Sequence, residues 1–227
     1  MGHSAAVSGG SGGGAAGVVP PGHEGCGRRC WRDLGAPPDP AGLPRFRILF
    51  VCTGNICRSP LAERLTRSVL GPCPALEVAG AGTHALAGEP MTGHAARVLA
   101  ELGGDHAGFR ARRLTAGMVE AADLVLAAAR EHRAAAVAMC PAAAGRAFTI
   151  AEFGVLTGAV PAGAVDRHGD LGPRARALVA EARTRRGLVR VDQPDIRDPY
   201  GRSLRAYRTA GRLIAGALAV PFRLLTP

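Results

Sequence analysis

The sequence predicts an α/β protein in which a parallel sheet of four strands is covered by helices and preceded by an unstructured tail. Three observations carry this. From Arg45 onward, short apolar runs alternate with stretches of helical spacing, the pattern of a parallel sheet with helical crossovers. The first run, Phe46 with Ile48-Leu49-Phe50-Val51, is almost continuously apolar, as a strand buried on both faces must be. Residues 1–44 are dominated by Gly, Ala, Pro and Ser, as in SGGSGGG and APPDPAGLP, and have no apolar period. Such a segment cannot offset its ordering entropy and is expected to be disordered, leaving 45–227 as the folded domain.

Each element follows in order. After the first strand comes a turn, Thr53-Gly54-Asn55, and then Ser59-Pro60-Leu61-Ala62-Glu63 opens a helix, with Pro60 in the first turn where its missing N–H is harmless. Glu77-Val78-Ala79 is a weaker second strand running out in Gly80-Ala81-Gly82. Ala95, Val98, Leu99 and Leu102 recur at helical spacing ahead of Gly103-Gly104, which would cap that helix. Ala122 to Leu126 reads as the third strand and Ala147 to Ile150 as the fourth. The stretch 154–191 is harder to divide. Gly172-Pro173 starts a helix with Leu178, Val179 and Ala182 on one face and arginines opposite, which read as a solvated surface. Leu204, Tyr207, Gly211, Ile214 and Leu218 mark a last amphipathic helix that should pack on the sheet.

Composition narrows the function classes. With 47% hydrophobic and 4% aromatic residues, a core can form but must rest on Ala, Val and Leu. No apolar run reaches the roughly 18 residues of a membrane span, and no basic-then-apolar leader opens the chain, so a cytoplasmic protein without membrane insertion is expected. The net charge is +10, and all 28 basic side chains are arginine. Without interleaved aromatics this does not point to nucleic acid, though arginine surfaces favour anionic partners through paired hydrogen bonds. Cys26 and Cys30, with His23 nearby, lie in the tail, where a metal site would lack four ligands held in a fold. They read as an exposed pair. None of the seven histidines has metal-ligand spacing, and His84, His94 and His132 read as surface or loop residues. Cys73 and Cys140 read as packing thiols, and no cofactor or metal is expected.

The chemistry is concentrated in Val51-Cys52-Thr53-Gly54-Asn55-Ile56-Cys57-Arg58-Ser59-Pro60. This stretch leaves a strand, turns through glycine and enters a helix, a junction where backbone N–H groups converge on an anion. Thr53 to Ser59 would line that cradle. Cys52 would lie at its base, where the same field favours a thiolate. Arg58, at C-x5-R spacing, can close over a tetrahedral anion and hold two of its oxygens. Ser59 can donate to the sulfur, and Asn55 tolerates a left-handed backbone and can tie the loop. A thiolate facing a phosphate implies phosphoryl transfer through a phosphocysteine, with an acid for the departing oxygen. Asp195-Ile196-Arg197-Asp198-Pro199-Tyr200-Gly201 is the segment suited to supply it.

These residues together resemble the low-molecular-weight protein tyrosine phosphatases, bacterial members above all. The resemblance runs from about Arg45 to Leu218 and rests on VCTGNICRSPLAE, Ala81-Gly82-Thr83, Ala122 to Leu126, Phe148 to Phe153 and Asp198-Pro199-Tyr200-Gly201. It implies a flavodoxin-like fold with the site at the carboxyl end of the first strand. It also implies Cys52 as nucleophile, Arg58 as phosphate clamp and Asp198, rather than Asp195, as general acid and then base. Ile56, Leu86 and Tyr200 would flank the substrate, and Cys57 would be the redox partner of Cys52 through a reversible disulfide. The implied partner is a phosphotyrosine protein, with a bacterial tyrosine kinase behind it by family analogy. Four departures bear on substrate choice: Gly80 where Ser is common, Leu86 where many members carry an aromatic, Ala127-Ala128 in place of Thr-Met, and the long segment before Asp195. Related phosphoarginine phosphatases carry Thr at the position of Ile56, so the apolar residue favours an aryl phosphate and leaves arginine phosphatase as the alternative. Arsenate reductases of this scaffold need a late cysteine pair, and Cys140 stands alone.

Overall fold

The computed structural model describes residues 1–2, 45–166 and 170–226; the tail with His23, Cys26 and Cys30 lies outside them. Four parallel strands, β1 (Phe46–Cys52), β2 (Leu76–Gly82), β3 (Leu124–Ala127) and β4 (Ala147–Thr149), form one sheet in the order β2-β1-β3-β4. Among the described residues seven α-helices surround it: α1 (Arg58–Leu70), α2 (Gly93–Glu101), α3 (Ala116–Ala121), α4 (Arg130–Met139), α5 (Ile150–Gly158), α6 (Leu171–Thr184) and α7 (Leu204–Leu225). The chain leaves β1 toward β2 on one side and later returns to pair β3 on the other. The carboxyl end of β1 is therefore the switch point where open parallel sheets bind ligands.

β1 is buried along both faces because each face meets a separate core. Phe46, Ile48 and Phe50 join Leu61, Leu65, Val98, Phe148, Phe153, Ile214 and Leu218 beneath α1, α2, α5 and α7. Leu49 and Val51 point the other way, against Met118, Val119 and Ala136 of α3 and α4. The first core runs in sequence from Phe46 to Leu225, so both ends of the described segment contribute to it. The expectation of an Ala, Val and Leu core is only partly met. The chain has six phenylalanines, and Phe46, Phe50, Phe109, Phe148, Phe153 and Phe222 are all buried. Few aromatics are present, but every Phe is spent inside.

Element ends differ from the sequence reading where side chains cap the backbone. β3 begins at Leu124 rather than Ala122 because the Asp123 carboxylate accepts the Arg47 N–H at 2.8 Å. β4 stops at Thr149 because that residue caps α5, its hydroxyl accepting from Glu152 N while Glu152 Oε2 accepts from Thr149 N, each at 3.0 Å. The arginines of α6 are not simply a solvated face. Arg174 is buried and donates to the Leu225 carbonyl at 3.1 Å, and Arg185 donates to the Ala159 carbonyl at 3.1 Å, tying α6 to its neighbours. Among the described residues, no helix is long and apolar enough to cross a membrane.

Candidate active site

The loop between β1 and α1 is held from outside by its carbonyls. Thr83 N–H donates to Cys52 O at 2.9 Å, His84 N–H to Thr53 O at 2.9 Å, Leu86 N–H to Gly54 O at 3.2 Å and Thr92 N–H to Ile56 O at 3.0 Å. With the carbonyls turned outward and occupied, the N–H groups of Gly54, Asn55, Ile56 and Cys57 have no protein acceptor among the described residues. Unpaired N–H groups in succession at a helix N-terminus form an anion cradle. Gly82 lets the supporting strand come this close, since a Cβ there would lie 2.9 Å from Asn55 N.

Asn55 makes the turn and ties it. Its φ of 54° lies in the left-handed region that Asn tolerates. Its Oδ1 accepts from Arg112 N at 2.9 Å and its Nδ2 donates to Ser59 Oγ at 2.8 Å, so both ends of the amide are fixed. Because Asn55 fills a Ser59 lone pair, the Ser59 hydrogen is free to point at Cys52 Sγ, 2.9 Å away; its alternative acceptor, Ala81 O, is farther at 3.5 Å. Cys52 itself is only 2% exposed.

Arg58 is nearly enclosed yet carries a full set of aimed donors. Nη1 donates to Ile196 O at 3.0 Å, and Nη2 to Asp198 Oδ2 at 2.8 Å and to Thr53 Oγ1 at 3.3 Å. Its Nε–H is buried with no partner among the described residues. A buried guanidinium N–H beside unpaired loop N–H groups is an unmet demand for an anion. The two aspartates of the late loop separate clearly. Asp195 Oδ2 accepts from Arg130 Nε at 3.0 Å and Nη2 at 2.9 Å, and its Oδ1 accepts from Arg130 N at 2.8 Å. Partial burial pushes its carboxyl up, but the contacts with Arg130 outweigh this and leave it below its ordinary range. Asp198, half exposed, is the one that touches Arg58. A cleft of about 430 Å³ opens there, lined by Arg58, Ala129, Arg130, Glu131, Asp195, Ile196, Arg197 and Asp198.

The remaining sequence-derived site residues fall in different places. Leu86 and Tyr200 are exposed at 48% and 59%; Leu86 N donates to Gly54 O at 3.2 Å and Tyr200 N to Asp198 Oδ1 at 3.2 Å. Ile56 is 7% exposed and packs into the first core, so little of its surface faces outward. Cys57 is a buried free thiol between Thr92 Oγ1 at 3.6 Å and Tyr207 Oη at 3.5 Å. Burial pushes its pKa up, against the pull of the two hydroxyls. Burial likewise pushes the Tyr207 hydroxyl up to about 12.

Two groups escaped the sequence reading. His132, expected at the surface, is 2% exposed, and its Nε2 meets Thr53 Oγ1 at 2.8 Å. It looks outward in sequence because it follows Arg130 and Glu131, but the first turn of α4 rolls it under the loop. Glu63 is fully buried behind the loop, paired with Arg67 at 3.1 Å and Arg112 at 3.4 Å. Burial pushes its carboxyl up, against the guanidinium groups of Arg112, Arg67 and Arg64. A carboxylate one turn after Ser59, on the apolar face of the helix, was the available signal.

A four-stranded parallel sheet with a cysteine-bearing anion loop at its switch point, and an arginine and an aspartate converging on it, defines a phosphate-handling α/β domain. The comparison with known proteins places it further. The family described as low molecular weight phosphotyrosine protein phosphatase matches residues 47–160, and the chain belongs to that family. It is 42% identical over 106 residues to the low molecular weight protein-tyrosine-phosphatase Etp of Escherichia coli K12, covering 47% of this chain and 70% of that one. The solved structure of the YwlE arginine phosphatase from Geobacillus stearothermophilus superposes with a TM-score of 0.57 at 29% identity, over 78% of this chain and 91% of that one. The Erwinia amylovora tyrosine phosphatase AmsI shares the fold, with a TM-score of 0.59 at 24% identity over 82% of this chain and 97% of that one.

Proposed function

We propose that the chain is a protein tyrosine phosphatase that hydrolyses phosphotyrosine through a phosphocysteine on Cys52. The observation that carries this is the buried, unpartnered Arg58 Nε–H beside the unpaired loop N–H groups, with the Ser59-supported sulfur at their centre. In the first step the Cys52 thiolate attacks phosphorus, the bond from phosphorus to the aryl oxygen breaks, and Asp198 gives that oxygen its proton. In the second step the Asp198 carboxylate takes a proton from water, the water oxygen attacks phosphorus, and the S–P bond breaks to restore the thiolate. The loop N–H groups and Arg58 hold the equatorial oxygens through both steps. For Arg58 to do so, its Nη2 must loosen from Asp198, which frees the carboxyl to reach the leaving oxygen.

Leu86 and Tyr200 suit the walls of an aryl slot, with what Ile56 exposes at its floor. Cys52, the loop N–H groups, Arg58, Ser59 and Asp198 carry every step of the scheme, and neither cofactor nor metal enters it. A cytoplasmic location and a bacterial tyrosine kinase as source of the substrates belong to the same proposal and rest on family membership. Arginine phosphatase is the competing reading, since YwlE is so named and shares the fold. The test is kcat/KM for phosphotyrosine and phosphoarginine peptides side by side, in the unmodified chain and in Ile56→Thr. Phosphotyrosine should lead, and Ile56→Thr should move the ratio toward phosphoarginine by about 10- to 100-fold, the scale of one pocket contact. An unmodified enzyme that prefers phosphoarginine would hand the assignment to the competing reading.

A further inference from the structure

His132 has no part in the two-step scheme, yet it is wired into it. Its Nε2 lies 2.8 Å from Thr53 Oγ1 and 3.4 Å from Glu131 Oε1, and its Nδ1 is buried without a partner among the described residues. Thr53 Oγ1 also receives Arg58 Nη2 at 3.3 Å, and that same nitrogen donates to Asp198. A line of polar atoms thus runs from the imidazole to the guanidinium and on to the acid.

The protons on this line can be placed. A guanidinium only donates, so Arg58 fills one lone pair of the Thr53 hydroxyl. The Glu131 carboxylate beside Nε2 accepts only, so the tautomer that suits both neighbours carries its hydrogen on Nε2, shared between Thr53 Oγ1 at 2.8 Å and Glu131 Oε1 at 3.4 Å. The opposite tautomer would set a bare nitrogen against Glu131 and bury an Nδ1–H with nothing to receive it. Both lone pairs of the Thr53 hydroxyl are then occupied, by His132 and by Arg58, which fixes its oxygen.

We propose that His132 is a positioning residue which, acting through Thr53 Oγ1 and only as the neutral ring, holds the Arg58 guanidinium in register with the loop. This rests on the phosphatase reading for its consequence in turnover, but not for its consequence in phosphate binding. Protonation would add an Nδ1–H with no acceptor and a second cation beside Arg58. The charged groups facing the ring are Arg58, Glu131, Asp198 and Asp195. Burial first, then Arg58, keep its pKa below the ordinary value against those three carboxylates, so the neutral form is the resting one.

The experiment measures kcat and KM on an aryl phosphate, and the affinity for inorganic phosphate, in the unmodified chain, His132→Ala, His132→Gln, Thr53→Val and the double variant with Ala and Val. His132→Ala should lower kcat by roughly 10- to 100-fold, the scale of a displaced reacting group, with a smaller change in KM and a several-fold loss of phosphate affinity. His132→Gln, whose amide N–H can reach Thr53, should recover most of this, and in the Thr53→Val background His132→Ala should add nothing. As pH falls through the titration of the ring, phosphate affinity should drop further in the unmodified chain than in His132→Gln. Independent, multiplying losses for His132 and Thr53, or unchanged kinetics and affinity in His132→Ala, would overturn the proposal. If His132→Ala does not fold, ring ¹⁵N spectra of the unmodified protein decide. A neutral Nε2–H ring at about pH 6.5, where a free imidazole is half protonated, is expected, with an Nε2 shift on adding phosphate. A cationic or Nδ1–H ring would contradict it. Turnover missing in a chain that still binds phosphate would instead remove the phosphatase reading, and His132 would then be judged on phosphate affinity.

Discussion

Gly82 leaves no space for a methyl group, and the collision falls on the backbone of the loop between β1 and α1. A Cβ there would stand 2.4 Å from Thr53 O, 2.9 Å from Asn55 N and 3.0 Å from Gly54 C. Ordinary contact begins near 3.4 Å, so Gly82→Ala must push the loop back by about 1 Å. The loop cannot yield freely, since Thr83, His84 and Leu86 hold its carbonyls. Overpacking of this kind costs about 1–3 kcal/mol, which for a domain of this size lowers Tm by roughly 2–4 °C per kcal/mol. The effect on chemistry should be larger, because a 1 Å misplacement of reacting groups can cost about 100-fold. Gly80→Ala is the control. There a Cβ meets Glu63 Oε2 at 2.8 Å and Asn55 Nδ2 at 3.1 Å, side-chain ends rather than loop backbone. The assay is kcat/KM on an aryl phosphate, together with melting curves with and without inorganic phosphate. Gly82→Ala should melt as a folded protein, lose activity by about 100-fold or more, and lose the rise in Tm that phosphate gives the parent. Gly80→Ala, which presses on side-chain ends, should lose clearly less of both than Gly82→Ala. A folded Gly82→Ala chain with parental activity would refute the claim that loop position is set by this close approach.

Further outcomes follow from the same geometry. Asp198→Asn should slow hydrolysis of phosphotyrosine far more than that of an aryl phosphate with a very good leaving group, since general acid catalysis is worth about 100- to 10,000-fold and an easy leaving group needs less of it. Equal losses on both substrates would remove Asp198 from the acid role, and Asp195→Asn, already engaged by Arg130, should alter the ratio little. Mild peroxide should inactivate the chain reversibly. The Cys52 thiolate is oxidised to a sulfenic acid as peroxide is reduced to water, and the Cys57 thiol then displaces water to form the disulfide. Cys57→Ala should make the loss largely irreversible, whereas a mass map without a Cys52–Cys57 link would end the redox reading.

The sheet and the loop were legible because both are local signals. An uninterrupted apolar strand, a glycine turn and a proline-started helix lie within Phe46 to Glu63, and each part constrains its neighbours. The long-range members were harder. Asp198 is marked in the sequence only by the Pro199-Tyr200 that follow it, and the structure brings it to Arg58 at 2.8 Å. His132 and Arg112 carry no local mark of their role. A histidine after two charged residues reads as surface, and only tertiary packing of α4 beneath Thr53 turns it inward. Arg112 acts through its backbone N–H on Asn55, an interaction to which its side chain is irrelevant. The core composition misled for a simpler reason. Averaging six phenylalanines over the whole chain hides the fact that all of them are buried.

The proposed mechanism passes through a covalent phosphoryl group on Cys52. That group should be visible in Asp198→Asn supplied with an aryl phosphate of very good leaving group. There the first step needs little acid, while the second lacks its base. The intermediate should therefore accumulate, seen as a thiophosphate signal in ³¹P NMR of the quenched protein. Peptide mass mapping should place one phosphoryl group on the fragment carrying Cys52, and none should form in Cys52→Ala with Asp198→Asn. Rapid release of the aryl alcohol with Cys52 unmodified throughout, or a phosphoryl group on any other residue, would contradict the mechanism.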